Sequence, residues 1–501
     1  MKRPTVLKTM IALAASMVAS AAWPQQPFDL DTNFRLNAQS VYLASILPLP
    51  DGDVIVSGQI SIPGEWPYER LGAKLHSDGS LDPLFRTYPS MGGKITPWQD
   101  QYYCGVGQVV RRFFMDGRID SSYLAISDAP YCSMGQGGDY YVFPDGRVLV
   151  SGSHYLQDSI RCFVGEYGLI WFTNQGYLDT TRIHRRANAA IFDLFPLPDG
   201  KFICSGYAWN FDGHELASTA FRIMPDGALD TTFHGPPGYV NIKAMRPLPN
   251  GKLLISGGGS WLDTGDTVNL MRLMPDGSRD LTFHSPTVRN FNSVLGHSPN
   301  EIIFSINPLG EDAYIITGSV TELDGQPRAS IALIDTAGNL LDTLFNGPGC
   351  GGYQWWETAE PWGWYNNIRG LVPTYDGNYF IYGGYHGYDD GSGTDGSSQR
   401  LISRLYGLNV GIKENGTNTN TPLSIAPNPS NGGAVQLSVG CVPKHATLSI
   451  HDASGRVVRQ AAWPTGAISY TLPADALAPG TYIVRVRCST ELYSGRLVAI
   501  P

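Results

Sequence analysis

Short apolar runs that begin after a polar turn and stop at glycine recur along most of this chain. Residues 53–58, 147–152, 201–206, 252–257, 313–318 and 378–383 each hold three consecutive residues drawn from Val, Ile, Leu, Phe, Tyr and Cys, then Ser, Thr or Tyr, then glycine. A more degenerate copy spans 102–107. Runs of this length and make-up suit strands and are too short for stable helices. The turns that feed them, such as Pro48-Leu49-Pro50-Asp51-Gly52, combine a proline that presets φ, an aspartate that caps the turn and a glycine that accepts positive φ. A second strand-like run closes on another such turn, as in 221–227 and 271–277.

Each period then ends on a tetrad, usually an aliphatic residue, aspartate, two spacers and an aromatic. The copies start at Leu30, Leu81, Ile119, Leu178, Leu229, Arg279 and Leu341, and their aspartates are Asp31, Asp82, Asp120, Asp179, Asp230, Asp280 and Asp342. These lie 51, 38, 59, 51, 50 and 62 residues apart. Counting the tetrad as a strand gives four short strands in about fifty residues, the pattern of a propeller blade. The expectation is an all-β chain built on a seven-bladed β-propeller. Its N-terminal tetrad, 28–34, has no unit of its own, while the seventh unit ends at 403–406 without a good tetrad. Residues 28–34 are therefore expected to complete the last blade and remove two open sheet edges. The rival is a last strand at 408–412.

The Pro-Asp-Gly turn, apolar strand, glycine and Asp-Gly-x-Leu-Asp-x-x-Phe pattern resembles the delta-60 repeats of bacterial extracellular β-propellers, over about 28–407. That resemblance implies the fold and is silent about activity. From 411 to 422 the composition turns to Lys, Glu, Asn, Gly and Thr, a polar linker with little to bury. Beyond it, runs at 435–439, 446–450, 456–459, 480–486 and 496–500 suggest a small C-terminal β-sandwich of Ig-like type. This region resembles the type A C-terminal sorting domain of the type IX secretion system. The carrying residues are 425–430, the hairpin from Ile450 to Val458, and 477–486. The resemblance implies the type IX machinery as a partner, transport across the outer membrane, and release or surface attachment.

Basic Lys2, Arg3 and Lys8, an apolar stretch over 10–18 and small residues to Ala22 read as a secretory leader cut after Ala21 or Ala22. The expected organisation is a signal peptide at 1–22, the propeller at 23–410, the linker at 411–422 and the sorting domain at 423–501. No later stretch is apolar enough to span a bilayer. The formal charge of −9 becomes more negative once the basic leader is removed, which argues against nucleic acid and anionic membrane as partners. Seven cysteines leave one unpaired unless a bond forms between chains, and none lies in a Cys-x-x-Cys motif. Cys104 and Cys132 are a possible bridge; Cys204 reads as a buried apolar residue.

Seven symmetric aspartates are better explained as turn acceptors than as catalysts. His234 and His284 share one repeat position and read as structural. Gly347-x-Gly349-x-x-Gly352 contains Pro348 and leads into tryptophans, not a helix, so it is no dinucleotide fingerprint. No nucleophile elbow and no sialidase box occurs. Two insertions break the symmetry. The segment 353–365 packs Trp355, Trp356, Trp362 and Trp364 with Glu357 and Glu360, a composition suited to sugar faces and hydroxyls. The segment 388–396 carries Asp389, Asp390 and Asp395, oxygen ligands suited to calcium though without the EF-hand register. No other cofactor is expected. The function expected is an exported binding or structural module, with polysaccharide or a surface protein as its partner. The alternative is a glycan-active hydrolase or lyase using Glu357, Glu360, Asp389 or Asp390, which requires paired carboxylates in a cleft.

Overall fold

The computed structural model describes residues 26–36, 42–61, 69–86, 91–106, 109–261, 268–290, 302–341, 344–345, 349–354, 364–388, 400–408, 420–428, 430, 433–439, 446–451, 457–473, 477–478, 480–487 and 492–499. The leader and its Ala21 and Ala22 lie outside them. The chain divides into two compact units, Met1–Gly411 and Ile412–Pro501. Among the described residues no helix is long and apolar enough to cross a membrane.

The first unit is all-β: among the described residues it has seven successive antiparallel sheets with longer strands, and three further small sheets made of two-residue strands. Sheet 1 comprises Tyr42–Pro48, Val54–Ser61 and Glu69–Leu75; sheet 2, Lys94–Trp98, Gln101–Val106 and Val109–Phe114. Sheet 3 has the longest strands, Cys132–Val142, Val148–Asp158 and Phe163–Phe172. Sheet 4 comprises Ile191–Pro196, Phe202–Gly206 and Ala220–Ile223; sheet 5, Gly238–Pro247, Leu253–Trp261 and Leu270–Leu273. Sheet 6 comprises Ile302–Leu309, Ala313–Ser319, Ile331–Asp335 and Leu340–Leu341; sheet 7, Asn367–Pro373, Tyr379–Tyr388 and Arg400–Leu405, with Cys350–Gly351 on its far edge. Apolar clusters bury the faces between consecutive sheets, and one cluster joins Phe34, Leu43 and Val56 to Phe380 and Ile402, so sheet 7 packs on sheet 1.

The tetrad is not a fourth strand in most repeats. Leu81, Ile119, Leu178, Leu229 and Arg279 each make only one bridge to the third strand, and only sheet 6 extends it, to two residues. The aspartate explains why. Its N–H bonds back to the third strand, as Asp230 does to the Arg222 carbonyl at 2.9 Å, but its side chain then claims the next backbone donor. Oδ1 of Asp230 accepts Thr232 N at 3.0 Å and Thr232 Oγ1 at 2.6 Å, which curls the chain into an Asx turn. Phe233 N closes the turn on the Asp230 carbonyl.

The same aspartate is clasped from the third strand. Arg112, Arg222 and Arg272 give Nε to Oδ2 of Asp120, Asp230 and Asp280 at 2.7, 2.8 and 2.6 Å. Their guanidinium carbons lie 5.0, 4.8 and 5.1 Å from the ring centres of Tyr123, Phe233 and Phe283. Their Nη1 groups reach the next sheet, Arg222 to the Pro275 carbonyl and Arg272 to that of Thr336. The second turn of that next sheet needs glycine twice over. Gly277 has φ +92°, and a Cβ there would stand 2.5 Å from the His234 carbonyl oxygen. His234 and His284 follow the tetrad aromatic and tie this seam through their own N–H groups. In the fourth tetrad Arg182 replaces the aromatic, and Trp171 fills the space against Gly227.

Residues 28–31 lie along the last strand of sheet 7. Phe28 N donates to the Tyr406 carbonyl, Asp31 N to that of Arg404, and Tyr406 N to that of Asp29, at 2.8, 2.8 and 2.9 Å. Leu30 bridges Leu405, and Tyr406 Oη donates to Asp31 Oδ1. The rival segment 409–412 lies outside the described residues.

In the second unit, strands Asn420–Pro422, Leu492–Ala499, Gly480–Arg487, Thr447–His451 and Val457–Ala462 form one sheet, and Ser424–Ala426, Val435–Ser438 and Ser469–Leu472 another. Leu437 and Leu472 from the smaller sheet share one core with Leu448, Ile450, Val484 and Val486 from the larger. Asn420–Pro422, expected in the linker, instead pairs in parallel with Leu492–Ser494, because backbone hydrogen bonding needs no apolar side chain. Cys104 and Cys132 do not bridge. Both are free, as are Cys162 and Cys204; Cys104 meets Ser57 Oγ at 3.4 Å, while Cys132 faces Met134.

Candidate functional site

The tetrads and turns leave little chemistry unspent. Asp230 and Asp280 are held well below the ordinary carboxylate range: at Asp230 burial works against this, but hydrogen bonds from Thr232, Lys201 and Arg222 outweigh it, and at Asp280 the bond from Lys252 leads. For Asp120 burial is likewise overcome by Ser122, Gln101 and Arg112, which hold it at about 2. Carboxylates so committed are fixed anions and make poor general acids or bases at neutral pH.

A different position varies from sheet to sheet. First strands are the ones through which sheets meet: that of sheet 1 touches those of sheets 2 and 7, that of sheet 4 those of 3 and 5, and that of sheet 6 those of 5 and 7. Six of the seven carry a register shift near the start, at Ala44, Gly138, Phe192, Lys243, Phe304 and Arg369; sheet 2 has none. A bulge inserts one residue and re-aims its side chain. The repeat's strand-ending glycine makes room for it: a Cβ on Gly206 would stand 2.3 Å from the Ala190 carbonyl oxygen and 2.9 Å from the Phe192 nitrogen. The preceding hydroxyl stitches neighbouring sheets, with Ser205 Oγ accepting Ile242 N at 3.2 Å and Ser256 Oγ donating to the Ile303 carbonyl at 2.7 Å.

The residue after each bulge faces that hydroxyl, and the set reads Ser45, Asp139, Asp193, Ala244, Ser305 and Gly370. Repeat symmetry thus places unlike side chains at the same position of six similar backbones. Lys94 donates to Asp139 at 3.0 Å, and Lys243 stands 3.8 Å from Asp193. Asp193 accepts Ser205 Oγ at 3.0 Å, and its carboxyl is pushed up to about 6, by burial first and by the Asp139 charge second, against the pull of Lys243 and Lys94. Tyr207, half exposed, stacks on Tyr239 at 5.3 Å and meets Phe192 edge-on at 5.0 Å. The arrangement can take up polar and ring-bearing ligands through paired charges and flat faces. Register places the bulges near the sheet ends from which the loops between second and third strands leave, opposite the Asx turns.

Trp355, Trp356, Glu357, Glu360, Trp362, Asp389, Asp390 and Asp395 lie outside the described residues. The backbone of Trp364 belongs to a two-residue strand, Trp364–Tyr365, paired with Tyr353–Gln354. That hairpin roots the tryptophan insert just before the first strand of sheet 7, and 389–399 leaves the same sheet between Tyr388 and Arg400. Cys350–Gly351 pairs with Tyr388 and His386 at that end of the sheet. Both insertions therefore emerge at the end where the bulges lie. Among the described residues no cluster of three or more His, Cys, Asp or Glu is placed to hold a metal ion. Sequence reasoning passed over the bulged residues because a search for repeats discards the positions that differ. The signal available was the glycine after each Ser, Thr or Tyr.

Residues 197–233 and 248–283 match the family described as a domain of unknown function (DUF5122) beta-propeller, and 424–500 match the secretion system C-terminal sorting domain. Both recognised segments are thus present: propeller-type repeats, and a type IX sorting tail that marks the chain for export, to release or to attachment at the outer-membrane surface. No curated protein matches the chain. Among solved structures it is similar to PorZ, a bacterial surface component of the type-IX secretion system of Porphyromonas gingivalis, at 13% identity and TM-score 0.35 over 95% of this chain and 60% of that one. It is also similar to the extracellular domain of a putative one component system from B. thetaiotaomicron, at 10% identity and TM-score 0.38, over 96% and 60% of the two chains. A fungal alcohol oxidase in complex with copper gives 11% identity and TM-score 0.36 over 95% and 100%. The chain spans 60% of the length of the first two, and likenesses this distant carry no functional argument.

Proposed function

We propose that this protein is a seven-bladed β-propeller, closed by residues 28–34 and followed by a small C-terminal sandwich, that acts outside the cell as a binding module with its ligand at the ring's axis. Seven sheets in cyclic contact and the hydrogen bonds from Phe28 and Asp31 to the last strand support the ring. The observation that carries the binding role is the bulge: one re-aimed position in six of the seven sheets, filled by Lys243, Phe192, Phe304 and Arg369 as well as by Ala44 and Gly138, where the repeat otherwise keeps its pattern. Structural repeats have no need of such variety, whereas a site reads a ligand through unlike groups placed at fixed distances. The tryptophan insert with Glu357 and Glu360 is a second contact region at the same end, and Asp389, Asp390 and Asp395 are a calcium-holding loop beside it.

The test is a glycan-array and surface-protein binding screen with the exported chain, repeated with Asp193→Asn combined with Lys243→Met, and with each of the four tryptophans changed to alanine. Loss of a ligand in the axial variant at unchanged melting temperature is the expected result. A ligand held equally well by that variant places the site elsewhere, and no ligand at all leaves a purely structural module.

A further inference from the structure

We propose that Arg369 is the receptor for a ligand carboxylate, and that the ligand is an acidic glycan; this deepens the binding reading above and rests on it. The bulge cations are not alike. Lys243 of sheet 5 meets Asp193, which follows the bulge in the preceding sheet, at 3.8 Å. In sheet 2, Lys94 meets Asp139 on its neighbour, sheet 3. Arg369 of sheet 7 occupies the same bulge position as Lys243, but the residue equivalent to Asp193 in the preceding sheet is Ser305, and in the following sheet it is Ser45. No carboxylate of a described residue lies within ion-pair distance of Arg369.

Aromatic rings take the place of an acid. The guanidinium carbon lies 4.6 Å from the ring centre of Tyr42 in sheet 1 and 5.4 Å from that of Phe304 in sheet 6. Its Nε is buried without a hydrogen-bond partner. Stacking on rings satisfies the face of a guanidinium and leaves its N–H edge unfilled, and that edge matches a carboxylate bidentately. Arg111, Arg185 and Arg404 also keep a buried Nε without a hydrogen-bond partner, but each has a carboxylate within 3.8 Å, at Asp128, Asp212 and Asp31, whereas Arg369 has none among the described residues.

A second polar group bears on the class. Asn241, two residues before Lys243, has its Oδ1 buried with no hydrogen-bond partner, while its side chain bonds Tyr239. A ligand that meets both groups offers a carboxylate together with hydroxyl or N–H donors. A uronic acid ring carries both, with apolar faces suited to the half-exposed Tyr207 beside the axis. An acidic peptide also carries both, but it lacks the rigid flat face.

The experiment is calorimetric titration of the full mature chain with oligogalacturonate, its methyl ester, a neutral cello-oligosaccharide and polyglutamate. The chains compared are wild type, Arg369→Gln, Arg369→Lys and the remote control Arg289→Gln, an exposed residue beside Glu322. Oligogalacturonate should bind, weaken with added salt, lose roughly tenfold or more in affinity in Arg369→Gln and less in Arg369→Lys, and be untouched by Arg289→Gln. The methyl ester should bind no better than the neutral sugar. Equal binding of ester and acid overturns the carboxylate assignment, and does so even if Arg369→Gln fails to fold. Polyglutamate binding in place of oligogalacturonate overturns the glycan class. Neutral sugars bound through Asp193 and Lys243 but indifferent to Arg369→Gln would sink this inference alone, while a chain that binds none of the probes and nothing in the wider screen would sink the axial reading with it.

Discussion

Asp230→Ala tests whether the repeated clasp, and not only apolar burial, holds consecutive sheets together. The carboxylate is 4% exposed and accepts Thr232 N, Thr232 Oγ1, Lys201 Nζ and Arg222 Nε within 3.0 Å. Removing one member of a buried ion pair costs about 3–5 kcal/mol. Arg222 and Lys201 keep 12% and 23% of their side chains in water, so part of that loss is recovered by hydration. Loss of the Asx turn adds an amount like that of a helix cap, about 1 kcal/mol. The expected total is roughly 2–4 kcal/mol in urea unfolding. Asp230→Asn keeps the acceptor for Thr232 and should cost less, on the order of 1–2 kcal/mol. A cycle with Arg222→Ala should show coupling of about 1–3 kcal/mol. The pH dependence has a definite sign. A carboxyl held below its unfolded value contributes its stability in full above the unfolded range near pH 4 and loses it as pH falls through the folded value. Acid unfolding of the wild type should therefore steepen between about pH 4 and 2, the window set by Asp120, with Asp230 and Asp280 extending it lower. Asp230→Asn should flatten that slope. Losses under ~1 kcal/mol for both variants, with no coupling to Arg222, would refute the clasp.

Phe233→Ala, which takes the ring from under Arg222, should cost about 3–5 kcal/mol, and deletion of 28–34 at least as much if those residues complete sheet 7; unchanged urea midpoints in both would contradict the scheme. Gly206→Ala should be as damaging as a core truncation although it adds only a methyl group, because the new Cβ meets backbone at 2.3 Å; hydrogen exchange at Ile191 and Phe192 identical to wild type would show that the bulge tolerates it. Deletion of 412–501 should leave a folded first unit trapped in the periplasm, and its appearance in the medium or at the cell surface would show that the tail is not the export signal.

Turn chemistry was the most legible layer of this chain, because Pro-Asp-Gly and the tetrad aspartate act on backbone groups two or three residues away. The tetrad itself was misread as a strand: apolar alternation suggested pairing, but Oδ1 of Asp230 competes for the backbone donor of Thr232 and wins. The third-strand arginines of sheets 4 and 5 stood in plain view in 221–227 and 271–277, yet the partners of Arg222 at Asp230 and Pro275 are 8 and 53 residues distant, beyond any local pattern. The residues at and after the bulges were the hardest to see. Lys243 and Asp193 lie 50 positions apart and have no motif in common; only the bulge, visible beforehand as a glycine after serine, brings them together.

Tyr406 and Asp31 meet across 375 residues of chain, and this seam fixes the order of events during biosynthesis. At roughly 5–20 residues per second, the leading segment waits from about twenty seconds to more than a minute for its partner strand to be translated. Throughout that interval residues 28–31 lack the backbone partners they have in the folded unit. Those bonds depend on the last stretch before the border at Gly411, so a chain cut short before Arg404 lacks the carbonyls to which Phe28 and Asp31 donate. Cleavage after that border, by contrast, leaves every bond of the seam in place.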